Sequence, residues 1–303
     1  MNMMMNRRLP GTVNGPMVGI VMKEMVRRAM ASIARNRMNF VATEKESYKA
    51  GQDFVTTADR EAQQIYLRTL SETFPTYGVI AEEDNLRTDC LEKDEDIYFT
   101  IDPLDGTKAF MRRQSQGIGT MISLVRGDVV VAACVGDVMT KEIYYFRPDS
   151  EKVHRFSWGD ELGETLKKER GSDELSEQYL LLGDDPRSLS LEIEEMTRPD
   201  AKGRTPIFKN IEIMSGSIGV KMARLWKGEV GAVVIKAGKA TPWDWCPVAG
   251  ISAKLGFVSV SFISGEWMSA PLGPIKDIEE FGYDSIIIHT SQLEDFMSRT
   301  VWG

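Results

Sequence analysis

Residues 97–107 read Ile97-Tyr98-Phe99-Thr100-Ile101-Asp102-Pro103-Leu104-Asp105-Gly106-Thr107. The first five are apolar, aromatic or β-branched and predict a buried strand. Asp102 then falls at the carboxyl end of that strand, the edge where α/β folds place ligands. Pro103 fixes its own φ and lacks an N–H for a ladder, so the chain is expected to leave the sheet there. Asp105 can return toward Asp102 with the Leu104 carbonyl exposed between them, and Gly106 permits close backbone approach. Thr107 to Met111 can start a helix whose free N–H groups face an anion. This set of hard oxygens suits divalent cations. Taken alone, Asp-Pro-x-Asp-Gly is equally good turn chemistry.

Two distant stretches could complete such a site. Glu82-Glu83-Asp84 ends an apolar run at Tyr77–Ala81. Acidic triplets are usually solvated faces, but a carboxylate turned inward would need a neutralising partner. Thr241-Pro242-Trp243-Asp244 lies far downstream. Its local pattern is a helix opening, with Thr241 as N-cap, proline at N1 and an acid at N3. Ser215-Gly216-Ser217 marks a second helix start, which is weak support for an anion site because Ser and Gly are common caps.

The elements around these stretches are legible in outline. Apolar residues at helical spacing predict a helix over 17–38, and another spans Ala58 to Phe74 with Pro75 at its end. Glu44 to Asp53 reads as a polar loop. Strands are expected at Tyr77–Ala81, Ile97–Ile101, Gly119–Val125, Val129–Val135, Ile143–Phe146 and Val153–Phe156, with short turns that suggest antiparallel neighbours. Ser157 to Gln178 is charged and low in apolar residues, and reads as a linker or an exposed elaboration between the halves. Strands at Tyr179–Leu182, Ile207–Ile211, Ala232–Ile235, Val258–Phe262 and Ser285–His289 then alternate with helices near Leu189–Met196, Ile218–Trp226 and Trp243–Leu255 and at the C-terminus. Three divisions follow: a disordered leader at 1–15, an N-terminal α+β domain at 16–176 carrying most of the carboxylates, and a C-terminal α/β domain at 177–303 completing the site.

Composition narrows the function classes. At 303 residues, with 42% apolar and 27% charged residues, the chain has volume for one large or two medium domains. A net charge of -8 argues against a nucleic-acid partner, though bound cations would still admit a phosphorylated small molecule. Cys90, Cys134 and Cys246 read as reduced thiols of a cytoplasmic protein. With only His154 and His289 present, an imidazole-built zinc site is disfavoured. The most apolar helical stretch, Met17 to Met30, is interrupted by Lys23, Glu24, Arg27 and Arg28, so no membrane span is expected.

Taken in order, Val55-Thr56-Thr57-Ala58-Asp59, Ile80-Ala81-Glu82-Glu83, Ile101 to Thr107, Gly216-Ser217 and Trp243-Asp244 resemble the inositol monophosphatase family. That family lies in a superfamily with fructose-1,6-bisphosphatases and 3′(2′),5′-bisphosphate nucleotidases. The resemblance covers roughly residues 18 to 265. It implies a layered α-β-α-β-α sandwich, a homodimer, and Li⁺-sensitive, Mg²⁺-dependent hydrolysis of a small phosphorylated metabolite with two or three ions. Glu82, Asp102 and the Leu104 carbonyl would hold a first Mg²⁺, Asp102, Asp105 and Asp244 a second, and Glu82 would help hold a looser third. Thr107 and Glu82 would orient the attacking water, with Asp59 behind them and Lys49 as its loop partner. Gly106 and Thr107 N–H groups would grip the phosphate, and Gly216, Ser217 and Asp244 would meet the substrate.

The chain departs from the inositol-selective pattern. Where a hydroxyl-binding Glu is expected, seven residues before Asp244, stands Ala237, with Lys236 and Lys239 nearby. Lys108 resembles the bisphosphate nucleotidase version of the motif. These departures admit a substrate with a second anionic group, hence a 3′(2′),5′-bisphosphate nucleotidase as the rival enzyme. A catalytically silent metal- or phosphate-binding regulator is the rival outside enzymology.

Overall fold

Asn14 opens the first helix, α1 (Gly15–Asn36), by accepting the Met17 N–H at 3.0 Å. Its buried stripe is Val18, Met22, Met25, Val26, Ala29, Met30 and Ile33, as the spacing predicts. The structure is a computed structural model describing residues 9–45, 53–157, 159, 163–167, 174–196 and 206–300. Residues 1–8 of the expected leader, and Lys49, lie outside the described residues. Within the rest of that leader, Leu9 is buried in the same core as α1.

After α1 a hairpin of β1 (Ala42–Lys45) and β2 (Asp53–Thr56) replaces the ends of the expected polar loop. Helix α2 (Thr57–Thr73) starts from a reciprocal cap: Asp59 accepts the Thr56 N–H while the Thr56 hydroxyl accepts backbone N–H groups of the first turn. The sheet that follows contains β3 (Gly78–Ala81), β4 (Leu86–Thr88), β5 (Ile97–Asp105), β6 (Gly119–Arg126), β7 (Val129–Asp137), β8 (Glu142–Phe146), β9 (His154–Ser157) and β10 (Glu164–Thr165). A short helix, α3 (Thr107–Met111), leaves the end of β5. The strand order is β10-β9-β8-β7-β6-β5-β3-β4, antiparallel throughout except for the parallel β3–β5 pair.

The C-terminal half supplies β11 (Tyr179–Leu182), α4 (Leu191–Met196), β12 (Asn210–Ile213), α5 (Ile218–Lys227), β13 (Ala232–Ile235), β14 (Gly238–Ala240), α6 (Pro242–Lys254), β15 (Phe257–Ile263), β16 (Glu266–Ala270), β17 (Glu279–Phe281), β18 (Ser285–His289) and α7 (Leu293–Arg299). Its main sheet is mixed, in the order β12-β11-β13-β18-β15-β16, while β14 and β17 pair apart from it.

The two-residue alternation of each strand decides the layers. In β6 and β7, Ile122, Leu124, Ala132 and Cys134 face α1 and α2, whereas Met121, Val125, Ala133 and Val135 face α5 and α6. In the second sheet, Leu181, Val233 and Ile287 join that same central core. Leu180, Leu182, Val234, Ile286 and Ile288 point the other way, onto Ile193, Met196 and Phe296 of α4 and α7. The layering is therefore α-β-α-β-α. The middle helices touch both sheets, which brings α6 and its Asp244 over β5. Among the described residues no helix is long and apolar enough to cross a membrane.

Three expectations need correction. β5 does not end at Ile101: it continues through Pro103 to Asp105, with a shift of register against β6 between Asp102 and Asp105. A bulge tolerates the missing proline N–H, so the strand survives it. Of the two readings of 157–178, a bare linker does not hold, since the exposed Glu164–Thr165 pairs with β9 and Leu175 is buried in the outer core. β12 lies at Asn210–Ile213, later than the expected 207–211.

Candidate metal centre

The bulge in β5 sets the site. It leaves Asp102 and Asp105 both buried at the end of one strand. Pro242 in the first turn of α6 brings Asp244 to them across the interface between the sheets. Carboxylate oxygens of Asp102, Asp105 and Asp244 all lie within 4.8 Å of one another. Glu82, at the end of β3, shares their cleft of about 500 Å³, together with Leu104, Gly106, Thr107 and Gly216. The sequence thus brings its predicted acids together. Asp84 does not join them and sits exposed on the turn beyond.

Each acid is held differently. Asp105 caps α5, accepting the Ile218 and Gly219 N–H groups at 3.1 and 2.8 Å and the hydroxyl of Ser217. An anion at a helix N-terminus is stabilised there by the oriented peptide dipoles. Among the described residues, Asp102 has one oxygen, Oδ1, buried without any hydrogen-bond partner, and the Thr241 hydroxyl on the same cleft is equally unpartnered. Thr241 forms no side-chain cap bond, so its position opens α6 without the expected capping contact. Glu82 accepts from Lys45 Nζ at 2.8 Å, and so does Glu83.

Thr107 and Asp59 form a second feature of the cleft wall. The Thr107 hydroxyl lies 3.2 Å from Asp59 Oδ1 and 3.1 Å from the Leu104 carbonyl, with one proton to donate between them. The other Asp59 oxygen accepts from the Thr56 N–H at 2.7 Å and the Thr56 hydroxyl at 2.5 Å. The capping box of α2 therefore also fixes the acceptor that orients Thr107.

The electrostatics match a cluster built for cations. Burial pushes the Asp102 carboxyl well above its ordinary range, and the charges of Glu82, Asp105 and Asp244 add to the rise. Asp105 is raised to about 6 by burial and by Asp244, against its helix-cap bonds. Glu82 and Glu83 each rise to about 7, burial outweighing the attraction of Lys45. Asp59 rises to about 6, again through burial. Burial would lower Lys45, but Glu82 and Glu83 outweigh it and hold the ammonium above its usual value. The orphaned Asp102 oxygen, the hard oxygen donors and the mutual repulsion all fit divalent cations of the Mg²⁺ type.

A pH dependence follows. These carboxyls bind protons more tightly in the folded chain than unfolded, where the ordinary value is ~4. The folded state carries the extra protons between about pH 4 and about pH 7, so stability falls as pH rises through that window. Melts in chelator are expected to give a higher Tm at about pH 5 than at about pH 7.5. An equal or higher Tm at the upper pH would contradict the repulsive cluster.

Sequence reasoning missed several residues here. Lys45 lies in a stretch read as loop, and its partners are distant in sequence. The cleft is also lined by Arg112 and Lys221, neither singled out from the sequence, and by Lys108, which was. Lys236, singled out from the sequence, lines a separate groove with Ala237, and Lys239 lies in β14; neither lines the cleft. The Ala237 N–H is bound by Asp284 at 2.7 Å.

A layered sandwich with a carboxylate cluster where its two sheets meet is the class that this fold and site define. The sequence pattern of the inositol monophosphatase family matches residues 18–269, and the chain belongs to that family. Nus factor SuhB of Vibrio cholerae serotype O1 is 34% identical over 129 residues, 43% of this chain and 46% of the relative, so the chain spans about half the length of that relative. Inositol-1-monophosphatase of Bacillus subtilis is 24% identical over 228 residues, 74% of this chain and 78% of the relative. A solved structure described as an IMPase/NADP phosphatase complexed with Mg²⁺ and phosphate superposes with a TM-score of 0.66. It covers 93% of this chain and 94% of its own at 16% identity, a likeness of fold.

Proposed function

We propose that the chain is a Mg²⁺-dependent phosphatase that hydrolyses small phosphate monoesters, inositol-phosphate-like or sugar phosphates. The observation that carries this is the meeting of Asp102, Asp105 and Asp244 within 4.8 Å, with an unpartnered Asp102 oxygen beside them. Glu82, Asp102, Asp105, Asp244 and the Leu104 carbonyl would hold two or three ions. When bound, such ions neutralise the phosphate, lower the pKa of water and stabilise the leaving oxygen. The protein's own part is positioning, as phosphoryl transfer demands. Thr107 donates its proton toward Asp59 or Leu104, leaving its lone pairs to accept a proton from the attacking water. Glu82 is the second group that orients that water. The Gly106 and Thr107 N–H groups would hold the phosphate, and Gly216 and Asp244 would face the remainder of the substrate. Ser217, expected there from the sequence, is instead buried with its hydroxyl on Asp105 and its N–H on the Gly117 carbonyl, so it positions Asp105.

The family supports this activity, and the relative complexed with Mg²⁺ and phosphate supports the cofactor. By the same kinship we expect Li⁺ inhibition and a homodimer. The three free cysteines favour a cytoplasmic setting. The net charge of -8 favours small-molecule partners over nucleic acid.

A second enzyme reading is favoured by Lys108, Arg112 and Lys221 on the cleft. Lys221 Nζ lies 2.7 Å from where a Cβ on Gly183 would stand, so the missing side chain leaves room for that ammonium at the wall. Three cations lining the same cleft as the acids suit a substrate with a second phosphate, as in a 3′(2′),5′-bisphosphate nucleotidase. The Nus factor relatives keep a catalytically silent regulator in view. Phosphate release from inositol 1-phosphate, fructose 1,6-bisphosphate and adenosine 3′,5′-bisphosphate, with and without Mg²⁺, separates the three. We expect Mg²⁺-dependent release from at least one. Preference for adenosine 3′,5′-bisphosphate would select the second reading, and no release from any would select the regulator.

A further inference from the structure

Lys45 ends β1 beside the cleft, and its ammonium bridges two carboxylates of different function. Glu82 lines the cleft, whereas Glu83 faces away, with its backbone N–H and carbonyl held by Gln63 at 3.0 Å each. The side chains of Lys45, Glu82 and Glu83 are 16, 15 and 3% exposed, so the bridge is shielded from solvent. An ion pair so placed differs from a surface pair, because removing one partner leaves the others as uncompensated buried charge. The ammonium sits 2.8 Å from Glu82 Oε1, a distance at which it already supplies the positive charge that this oxygen requires. A divalent ion bound by Glu82 on that side would have to displace it. The Glu83 backbone grip by Gln63 keeps this wall in place independently of Lys45.

We propose that Lys45 is a built-in cation standing in for a third divalent ion at Glu82, so that this chain binds two divalent ions and Lys45 positions Glu82 for them. The proposal rests on the metal-dependent function above and makes Lys45 a positioning residue.

Mn²⁺ binding to the full chain, counted by electron paramagnetic resonance with Mg²⁺ calorimetry as a second probe, tests it without reference to turnover. The wild type is expected to bind two ions. Lys45→Met is expected to gain a third, or to tighten the weakest site at least tenfold. Lys45→Arg, which keeps the charge, should behave as wild type, whereas a merely structural lysine would leave all three counts equal. Equal counts and affinities in wild type and Lys45→Met overturn the proposal. So does a third ion bound by the wild type itself, a result that does not depend on any variant folding. A wild-type chain that binds no Mn²⁺ at all would instead remove the metal-dependent function on which the proposal stands.

Discussion

Asp102→Asn is expected to lower Mg²⁺-dependent phosphate release on the order of 10³-fold, while raising the stability of the metal-free chain by about 1–3 kcal/mol. The two effects have one cause. Asp102 is buried, carries an oxygen without a partner and faces the charges of Glu82, Asp105 and Asp244. An amide of the same shape removes a repelled charge and can donate to Asp244, so the empty cleft relaxes. The same exchange removes the carboxylate shared by both proposed cation positions. Turnover on the best substrate of the panel, with Tm in chelator, checks both. Undiminished turnover would remove Asp102 from the site; a lower Tm would show that the carboxylate is a structural partner. Asp105 is a poorer probe, because it caps α5 and Asp105→Asn would cost about 1 kcal/mol through the cap as well.

The contrast between these two aspartates shows what the sequence can carry. The run Ile97–Ile101 announces a buried strand by composition, and the acids that follow it are visible as candidate ligands. Nothing local shows that Asp105 caps a helix beginning at Ile218, because the bond spans 113 residues. Local logic went astray at Pro103, where a proline normally ends a ladder but here sits in a bulge. At Thr241 it found the helix start and its proline, yet the hydroxyl makes no cap bond and Asp244 turns to distant acids.

Several of the strands missed from sequence carry little buried apolar surface. β14 and β17 are short and carry Lys239, Glu279 and Glu280, and β16 is mostly exposed, so none shows alternation. Lys45 was missed for a related reason: a lysine in a polar stretch has no signature until its carboxylates arrive from the end of β3. The choice of Lys236 and Lys239 over Arg112 and Lys221 reflects the same limit. Nearness in sequence to Asp244 says little about which wall of a cleft a side chain lines.

Gly106→Ala is expected to cost at least about 3 kcal/mol and to abolish turnover, the largest stability effect of any single methyl group proposed here. Gly106 has φ +92°, which an alanine adopts at a cost of roughly 1 kcal/mol. The greater cost is steric. A Cβ there would stand 2.2 Å from the Gly117 carbonyl oxygen and 2.8 Å from the Ser217 nitrogen. Those two backbone atoms are bonded to each other at 2.9 Å and tie the start of α5 to the loop before β6. Neither can rotate aside as a side chain could, so the methyl group must separate the segments that carry Asp105 and its cap. Gly265→Ala is the control, since Gly265 has φ +91° but nothing within 4 Å of an added Cβ. It should lose only the conformational term, about 1 kcal/mol, with turnover intact. Chemical denaturation of both variants measures the difference. Equal losses would mean that the strand end and the helix start yield easily, and that the cleft is not held by this backbone contact.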